Sequence, residues 1–313
     1  MPKESSEFNQ LPLEIQAMII SYLPTYDIAK NVGLVSKQLN ELSKDSSVRI
    51  SVDFNLETHQ ETAAHMLHFK ASQIREMKLN NIPKDIQKVV IDEIGSLKNL
   101  VKFESFTDQD FKLTNQFTKK LFQLKNLKVL DMQGYFLEDS CLTTIGECKH
   151  LKTLRLGLYK VSMDELKAIS SLGNLTSLRL SLYLHFEPEY IEFPLVFNNQ
   201  IKCSLTFFLK SFTISHLKMV TSYFPNVSVL YIQPRTTFVI DSEEKIVAMH
   251  SILSRCKNLF AFQLECEVAD VAKVEERFSG WMVFILKSRS LAMARRIPKL
   301  SVSSSPSTKP RTE

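Results

Sequence analysis

The residues of this chain best suited to chemistry are a few histidines and cysteines that lie close together in the sequence. His65 and His68 are three residues apart, and Cys148 lies two residues before His150. Imidazole and thiolate are common zinc ligands, but neither pair is accompanied by a second pair at ligand spacing. We therefore predict structural or surface roles for these side chains, and neither a bound metal nor a cofactor.

Sequence motifs of enzymes are also missing. The chain has no serine motif of the hydrolase type, no zinc-protease motif and no phosphate-binding loop, and it contains only 7 glycines in 313 residues. Catalytic groups need not be neighbours in sequence, so an enzyme with a deep pocket stays open as an alternative. The sequence favours a non-catalytic protein.

A second set of candidate residues is charged and recurs along the chain. Arg155 and Arg179 stand 24 residues apart in two similar segments, LKTLRL and LTSLRL. Related six-residue segments follow the same pattern, with apolar residues at the first, fourth and sixth positions. They begin at residues 74, 100, 127, 151, 175, 202, 227 and 259, with a period of 24 to 32 residues. Ile50 and Val52 indicate a further copy at the start.

The repeated pattern has a geometric reason. Successive side chains of a strand point to opposite faces, so the leucines of a segment share one face and the residues between them share the other. Stacked copies bury a continuous core that one copy cannot form alone. The pattern resembles the leucine-rich repeat over about residues 47–270. Cys148 and Cys256, each three residues before an opening leucine, resemble the cysteine-containing subtype that often follows an F-box.

In such a repeat the residues between the leucines would lie on the inner, concave face of the solenoid. The side chain between the last two apolar positions would form a ladder across the strands: Lys78, Glu104, Asp131, Arg155, Arg179, Thr206, Tyr231 and Gln263. We predict target contacts at the basic centre of this face and at its aromatic neighbours: Lys128, Asp131, Lys152, Arg155, Arg179, Phe208 and Tyr231.

Two interpretations of this basic centre stay open. In the first, the face is an ordinary solvated sheet, and Asp131 satisfies one of the arginines. In the second, the neighbouring guanidinium groups of Arg155 and Arg179 bind an acidic or phosphorylated peptide, because arginine pairs with carboxylates and phosphates through two parallel hydrogen bonds.

The residues from 11 to 42 follow a different, helical pattern. Pro12 suits the first turn of a helix, and Ile15, Ile19 and Leu23 recur every four residues before Pro24. A second run at helical spacing consists of Ile28, Val32, Val35, Leu39 and Leu42. About forty residues are too few to bury this much apolar surface, so another surface must cover part of it.

The order of these elements, from Leu-Pro through two helices to Leu-Val-Ser-Lys, resembles the F-box, the helical module that docks on the Skp adaptor of SCF ubiquitin ligases. Leu39 departs from the family pattern, which usually has an aromatic residue there. The resemblance implies an adaptor-binding stripe that consists of Leu11, Pro12, Ile15, Ile19, Leu23, Leu34 and Val35. The alternative is a helical cap on the following domain.

We therefore expect an α/β leucine-rich-repeat solenoid (horseshoe) preceded by a small all-α F-box. The expected divisions are a polar arm at 1–10, the F-box at 11–45, the repeats at 46–270, a C-terminal cap at 271–297 and a disordered tail at 298–313.

Composition narrows the partners and the compartment. The net charge of +5 is mild and spread along the chain, which does not indicate a nucleic-acid partner. No apolar run is long enough to span a membrane, and the polar first ten residues do not resemble a signal peptide. Five scattered cysteines favour a reducing compartment, so we expect a cytoplasmic or nuclear protein. The F-box implies a eukaryotic source.

The combined resemblance implies a substrate-recognition subunit of an SCF-type E3 ubiquitin ligase. The F-box would hold the Skp adaptor and, through it, a cullin-based ligase, while the repeats would hold the target. Such a protein contributes proximity and forms no bond itself. The alternative is a stand-alone leucine-rich-repeat module, a scaffold or an inhibitor, without a ligase role.

Overall fold

The structure is a computed structural model that describes most of the chain. The described residues are 7–23, 27, 31, 35, 37–42, 50–106, 112–137, 140–158, 162–184, 201–279 and 282–286. Leu34 and the predicted disordered tail lie outside them.

The N-terminal part is helical, as its pattern predicts. A short 3-10 helix, Glu7–Gln10, precedes helix α1 (Leu13–Ser21), and helix α2 spans Lys37–Leu42. Pro12 caps α1, and its carbonyl accepts hydrogen bonds from the backbone N–H groups of Ile15 and Gln16 in the first turn. The helix ends at Ser21, earlier than the stop that we expected at Pro24.

The rest of the fold is built on one parallel sheet. Its strands run in the order β1-β2-β3-β5-β6-β7-β8-β9-β11-β13, and β4 pairs with β5 beside this path. Their bounds are β1 Ile50–Phe54, β2 Ile74–Asn80, β3 Lys102–Phe106, β4 Lys112–Leu113, β5 Val129–Leu137, β6 Thr153–Leu158, β7 Ser177–Leu184, β8 Lys202–Leu209, β9 Val227–Pro234, β11 Ala261–Glu265 and β13 Met282–Leu286. The small strands β10 (Val239–Ile240) and β12 (Glu267–Val268) pair separately. Every predicted repeat segment overlaps one of the sheet strands, which confirms the solenoid.

Short helices connect many of the strands. They are α3 Gln60–Phe69, α4 Lys84–Glu93, α5 Asn115–Phe122, α6 Met163–Ser170, α7 Ile214–Tyr223, α8 Glu243–Leu253 and α9 Val271–Arg277, with 3-10 turns at Ile94–Ser96 and Ile145–Glu147. Ser162 and Glu165 form a capping box at the start of α6. The buried Glu165 carboxylate also accepts from the backbone N–H of Leu142, so it ties two neighbouring repeats together.

The core is made of the repeated leucines. Leu130, Leu154 and Leu178 are at most 1% exposed. Asparagines in the turns before the strands add a second contact between repeats, which the sequence analysis did not include. The side-chain amides of Asn126 and Asn174 donate to the carbonyls of Lys98 and Lys149 in the preceding repeats, at 2.9 and 2.7 Å.

The sheet continues beyond residue 270, where we expected the repeats to end. Helix α9 leads into β13, which pairs in parallel with β11. This segment therefore covers the edge of β11 by adding another helix and strand in the repeat order. An exposed edge would present unpaired backbone groups, so the added strand protects β11.

The register predicts a large effect of a single core truncation. Leu154→Ala should lower the free energy of unfolding by about 2–5 kcal/mol, because it removes packed atoms and leaves a cavity. Chemical denaturation followed by circular dichroism measures this change. Leu56→Ala, at a side chain that is 62% exposed, is the control and should change stability by less than about 0.5 kcal/mol. A loss below about 1 kcal/mol at Leu154 would contradict the register.

Candidate functional site

The first candidate surface is the stripe on α1, and it is exposed. Leu11, Ile15, Ile19 and Leu23 are 38–41% exposed, and Pro12 is exposed as well. Val35, the other described residue of the predicted stripe, is 73% exposed. An exposed apolar row of this length is typical of a surface that another molecule covers.

The orientation of the stripe is fixed by the opposite face of α1. Ala17 and Ile20 are each 2% exposed and belong to the same buried cluster as Leu42 and Ile50, at the start of the solenoid. The buried Gln16 amide donates to the carbonyl of Leu11 at 2.7 Å. Because these contacts anchor one face of the helix, the stripe cannot turn inward without losing them.

The departure at Leu39 also has a structural role. Leu39 is partly buried and packs against the apolar cluster that contains Leu42 and Ile20. It therefore helps to seat the helices on the repeats.

The second candidate surface is the concave face of the sheet, and its register differs from our ladder in the C-terminal half. From Lys78 through Arg179 each residue of the ladder lies beside the next. Arg179, however, lies beside Ser204, and Thr206 lies beside Ser181. The predicted ladder therefore breaks at β8, where we aligned KCSLTF two residues out of step.

A shift by two residues keeps every side chain on its face but moves it about 7 Å along the strand. Thr206 and Tyr231 do lie beside each other on the concave face, but they belong to the row of Ser181. Phe208 lies beside Tyr183, one row further on. Both aromatic residues are therefore displaced along the strands from Arg179, so the predicted ladder was wrong to place Tyr231 in the row of Arg179.

The two arginines have different surroundings. Arg155 donates through Nη1 to Oδ2 of Asp131 at 3.3 Å, and Gln133 donates to the other oxygen of that carboxylate at 2.8 Å. Asp131 is buried, so it is held in a fixed position for Arg155. Arg179 is exposed, and no ion pair or hydrogen bond to it is formed by the described residues. Arg155 therefore fits the first interpretation, in which Asp131 satisfies one of the arginines. The guanidinium group of Arg179 is exposed and forms no such pair with the described residues.

The predicted lysines lie at the entry edge of the sheet. Lys128 and Lys152 each precede a strand, and the N–H of Lys152 donates to the carbonyl of Lys128 at 2.8 Å. Lys128 also lines an open depression of about 610 Å³ between Ser21 of α1 and the first strands. Both side chains are exposed.

The aromatic pair at the C-terminal side is structurally linked. The rings of Phe208 and Tyr231 meet edge to face with their centroids 6.4 Å apart. The Tyr231 hydroxyl donates to Oε1 of Glu265 at 2.6 Å. Burial and the neighbouring carboxylate both raise the pKa of Tyr231, so it is a neutral hydrogen-bond donor at physiological pH.

The thiols and histidines do not form a reactive centre in the described part of the chain. The described residues contain no cluster of three or more potential metal ligands. All five cysteines are buried and none forms a disulfide, and burial raises the pKa of Cys148 and of Cys203 to about 12. The Cys148 thiol donates to the carbonyl of Phe122 at 3.2 Å, which is a structural role. No helix in the described ranges has the length and hydrophobicity needed to cross a membrane.

Residues that sequence reasoning missed surround Arg179. Ser177 and Ser181 flank it on β7, and Ser204 lies beside it on β8, where Lys202 lies beside Ser177. The signal was present as small polar residues at alternating positions in both strands, but the wrong register at β8 separated them from Arg179.

Comparison with known proteins finds a family match for the N-terminal part of the chain. An F-box-like family model matches residues 8–55, which include α1, α2 and β1. F-box domains in general bind the Skp adaptor in SCF complexes. Comparison with curated protein sequences finds no match.

Solved structures that resemble the chain include two leucine-rich-repeat examples from distant sources. An internalin from Listeria monocytogenes has 11% identity and a TM-score of 0.42, with 77% of this chain and 72% of that chain covered. The leucine-rich-repeat ectodomain of a membrane receptor kinase from Arabidopsis thaliana has 12% identity and a TM-score of 0.32, with 77% and 42% covered. The chain thus spans less than half of the receptor ectodomain. The repeat assignment rests on the strand order and register of this chain itself.

An F-box-like segment at residues 8–55 leads into a parallel solenoid with one strand per repeat, which is the arrangement of an F-box followed by leucine-rich repeats.

Thiol chemistry offers a direct check of the cysteine environments. The thiolate is the reactive form, and a raised pKa leaves very little of it at pH 8. We expect none of the five cysteines to react rapidly with a disulfide reagent in the native protein at pH 8, and all five to react in denaturant. The measurement is release of the coloured thiol over time. Rapid labelling of the native protein would contradict the buried positions.

Proposed function

We propose that this protein is a substrate-recognition adaptor of an SCF-type E3 ubiquitin ligase. The observation that carries the proposal is the exposed apolar stripe on α1, inside a segment that matches the F-box-like family. The other face of α1 is anchored to the solenoid core, so adaptor docking would fix the direction in which the repeats point.

Burial of the stripe supplies the affinity of the first contact. Each apolar side chain that becomes fully buried contributes roughly 1.5–3 kcal/mol, and the side chains here start about 40% exposed, so each gains only part of that amount. Several such residues acting together are enough for a specific interface. We place Leu34 in the same contact because the family pattern puts it there.

The concave face is the proposed target-binding surface. Its partner is a protein segment that is acidic or phosphorylated, because Arg179 offers an available guanidinium. The ligase would then act by holding a lysine of the target near the conjugating enzyme, and the repeats themselves would carry out no bond chemistry. We place the complex in the cytoplasm or the nucleus, where unpaired thiols stay reduced.

The second candidate function is a stand-alone binding module, a scaffold or an inhibitor. Such a module would bind its partner through the same concave face, but it would need no partner on α1. The two functions therefore differ in one respect: only the ligase adaptor requires the exposed stripe for an interaction.

A charge placed in the stripe tests the adaptor contact. Ile19→Glu should reduce recovery of a purified Skp adaptor in a pull-down at least tenfold, because the interface would have to bury an unpaired carboxylate. The matched control is Val247→Glu on α8, since Ile19 and Val247 are both 39% exposed.

The control separates a specific contact from a general effect of charge. Val247→Glu should recover the adaptor at the wild-type level, and both variants should unfold at the same denaturant concentration as the wild type. Equal recovery with Ile19→Glu and with the wild type would rule out the stripe as the contact. Unfolding of Ile19→Glu alone would favour the helical-cap interpretation.

A further inference from the structure

The turns that lead into the early strands of the sheet carry a group of lysines. Five of them, in the turns before β3, β5 and β6, have exposed side chains: Lys98, Lys125, Lys128, Lys149 and Lys152. We call this surface the basic edge. Within the described residues, none of the five lysines forms an ion pair.

Hydrogen bonds between neighbouring turns hold these lysines one strand spacing apart, which is about 4.8 Å. The N–H of Lys152 donates to the carbonyl of Lys128 at 2.8 Å, and the side-chain amide of Asn126 donates to the carbonyl of Lys98 at 2.9 Å. Both contacts use backbone carbonyls and leave the ammonium groups exposed. Like charges at this spacing repel one another, so the edge is well suited to an anionic partner.

Few acids accompany the basic edge. The nearest in sequence are Glu147, in a 3-10 turn, and Asp92 and Glu93 at the end of α4. The situation on the sheet itself is different, since Lys102 pairs with Glu104 at 3.1 Å. The concave face therefore neutralises its lysine at this point, whereas the turns next to it keep their positive charge.

The basic edge is continuous with α1 through the open depression described above. Its lining extends from Ser21 at the end of α1, across the starts of the first strands, to Lys128. Glu76 is an acid in this lining. Three strand spacings separate Ile50 on β1 from Lys128 before β5, which is about 14 Å. A protein that sits on α1 can reach the basic edge across this gap.

The stripe on the N-terminal helices is smaller than a typical protein interface. A stable interface usually involves about 20–30 residues on each side. The predicted stripe consists of seven residues. A partner of α1 therefore also covers surface next to the stripe, and the basic edge is part of that neighbouring surface.

We propose that the basic edge binds an acidic segment of the adaptor protein that docks on α1. Carboxylates of this segment pair with Lys125, Lys128, Lys149 and Lys152, while the apolar stripe fixes the orientation of the adaptor. The inference rests on the proposed adaptor function and names a second contact for it. It also moves Lys128 and Lys152, which the sequence grouped with the target contacts, to the adaptor side.

An acidic protein segment fits the basic edge better than a single-stranded nucleic acid does. Bases of a single strand stack on aromatic side chains. Among the described residues, none of the exposed large hydrophobic side chains lies in the turns before β3, β5 and β6. Lysine acts as a point charge without a required planar geometry, so it can pair with carboxylates in many arrangements.

Exposed charge pairs of this kind act mainly on the rate of association, because they steer the encounter of the two proteins. The test follows binding of the full chain to a purified Skp adaptor by biolayer interferometry. Measurements are made at about 50 mM and about 500 mM salt, since screening is weak at the first concentration and strong at the second.

The edge variant changes Lys125, Lys128, Lys149 and Lys152 together to Gln. It should associate at least tenfold more slowly than the wild type at the lower salt concentration. The difference should shrink to about threefold or less at the higher concentration, and the dissociation rate should change by less than about threefold.

A matched control removes the same charge from the helices. Lys84 and Lys88 on α4, Lys119 on α5 and Lys218 on α7 are exposed, and changing all four to Gln should keep the association rate within about threefold of the wild type. A further variant with Arg at the four edge positions keeps the charge and should associate like the wild type. All three variants should unfold at the same denaturant concentration as the wild type.

Carbodiimide cross-linking gives an independent readout, because it joins a lysine amine directly to a carboxylate in contact with it. Mass spectrometry of the cross-linked complex should identify links from the edge lysines to Asp or Glu residues of the adaptor. The same links should be lost with Ile19→Glu, which removes the primary contact.

Equal association rates of the edge variant and the helix control would overturn the proposal, as would a complex without cross-links from the edge lysines. Binding of the wild type to phosphatidylserine vesicles or to a short DNA duplex, lost in the edge variant, would reassign the edge to a lipid or a nucleic acid. If the wild type does not bind the adaptor at all, the adaptor function itself fails. If it binds and only Ile19→Glu weakens binding, that function stands and this inference fails.

Discussion

Every strand of this solenoid must bury one of its faces, and that requirement determines which residues can bind anything. Leu154 and Leu156 point into the core because the sheet has a period of two, so Arg155 between them must point out. The same constraint acts on each strand in turn. The concave face is therefore assembled from side chains that lie about 25 residues apart in sequence but one strand spacing apart in space.

This constraint explains what could be predicted from the sequence. Period-two alternation assigned the faces of the strands correctly, because a residue on the wrong face would put a leucine in water. Register along the strand is a weaker signal. At β8 the segments KCSLTF and QIKCSL start two residues apart and bury the same side of the strand, so the apolar pattern could not distinguish them. The ion pair between Arg155 and Asp131 was one of the two alternatives that the sequence left open. The hydroxyl side chains around Arg179 could be identified only from the observed register.

The N-terminal helix must also bury one of its faces, but its apolar residues recur with the period of a helix. The spacing of Ile15 and Ile19 predicted a stripe on α1, but spacing alone does not say which of several apolar stripes meets the repeats. The structure buries the face with Ala17 and Ile20 and leaves the predicted stripe exposed. The choice depends on the fit between α1, Leu42 and the first strand, which is a tertiary contact that local sequence does not encode.

Hydrogen exchange on the full chain, with and without a purified Skp adaptor, tests the central claim most directly. The account predicts slower exchange in residues 11–23 when the adaptor is bound, and unchanged exchange in β6 to β9 on the target-binding side. Exchange that stays the same in residues 11–23, or that slows only in the sheet, would contradict the assignment of α1 as the adaptor-docking element and favour a stand-alone binding module.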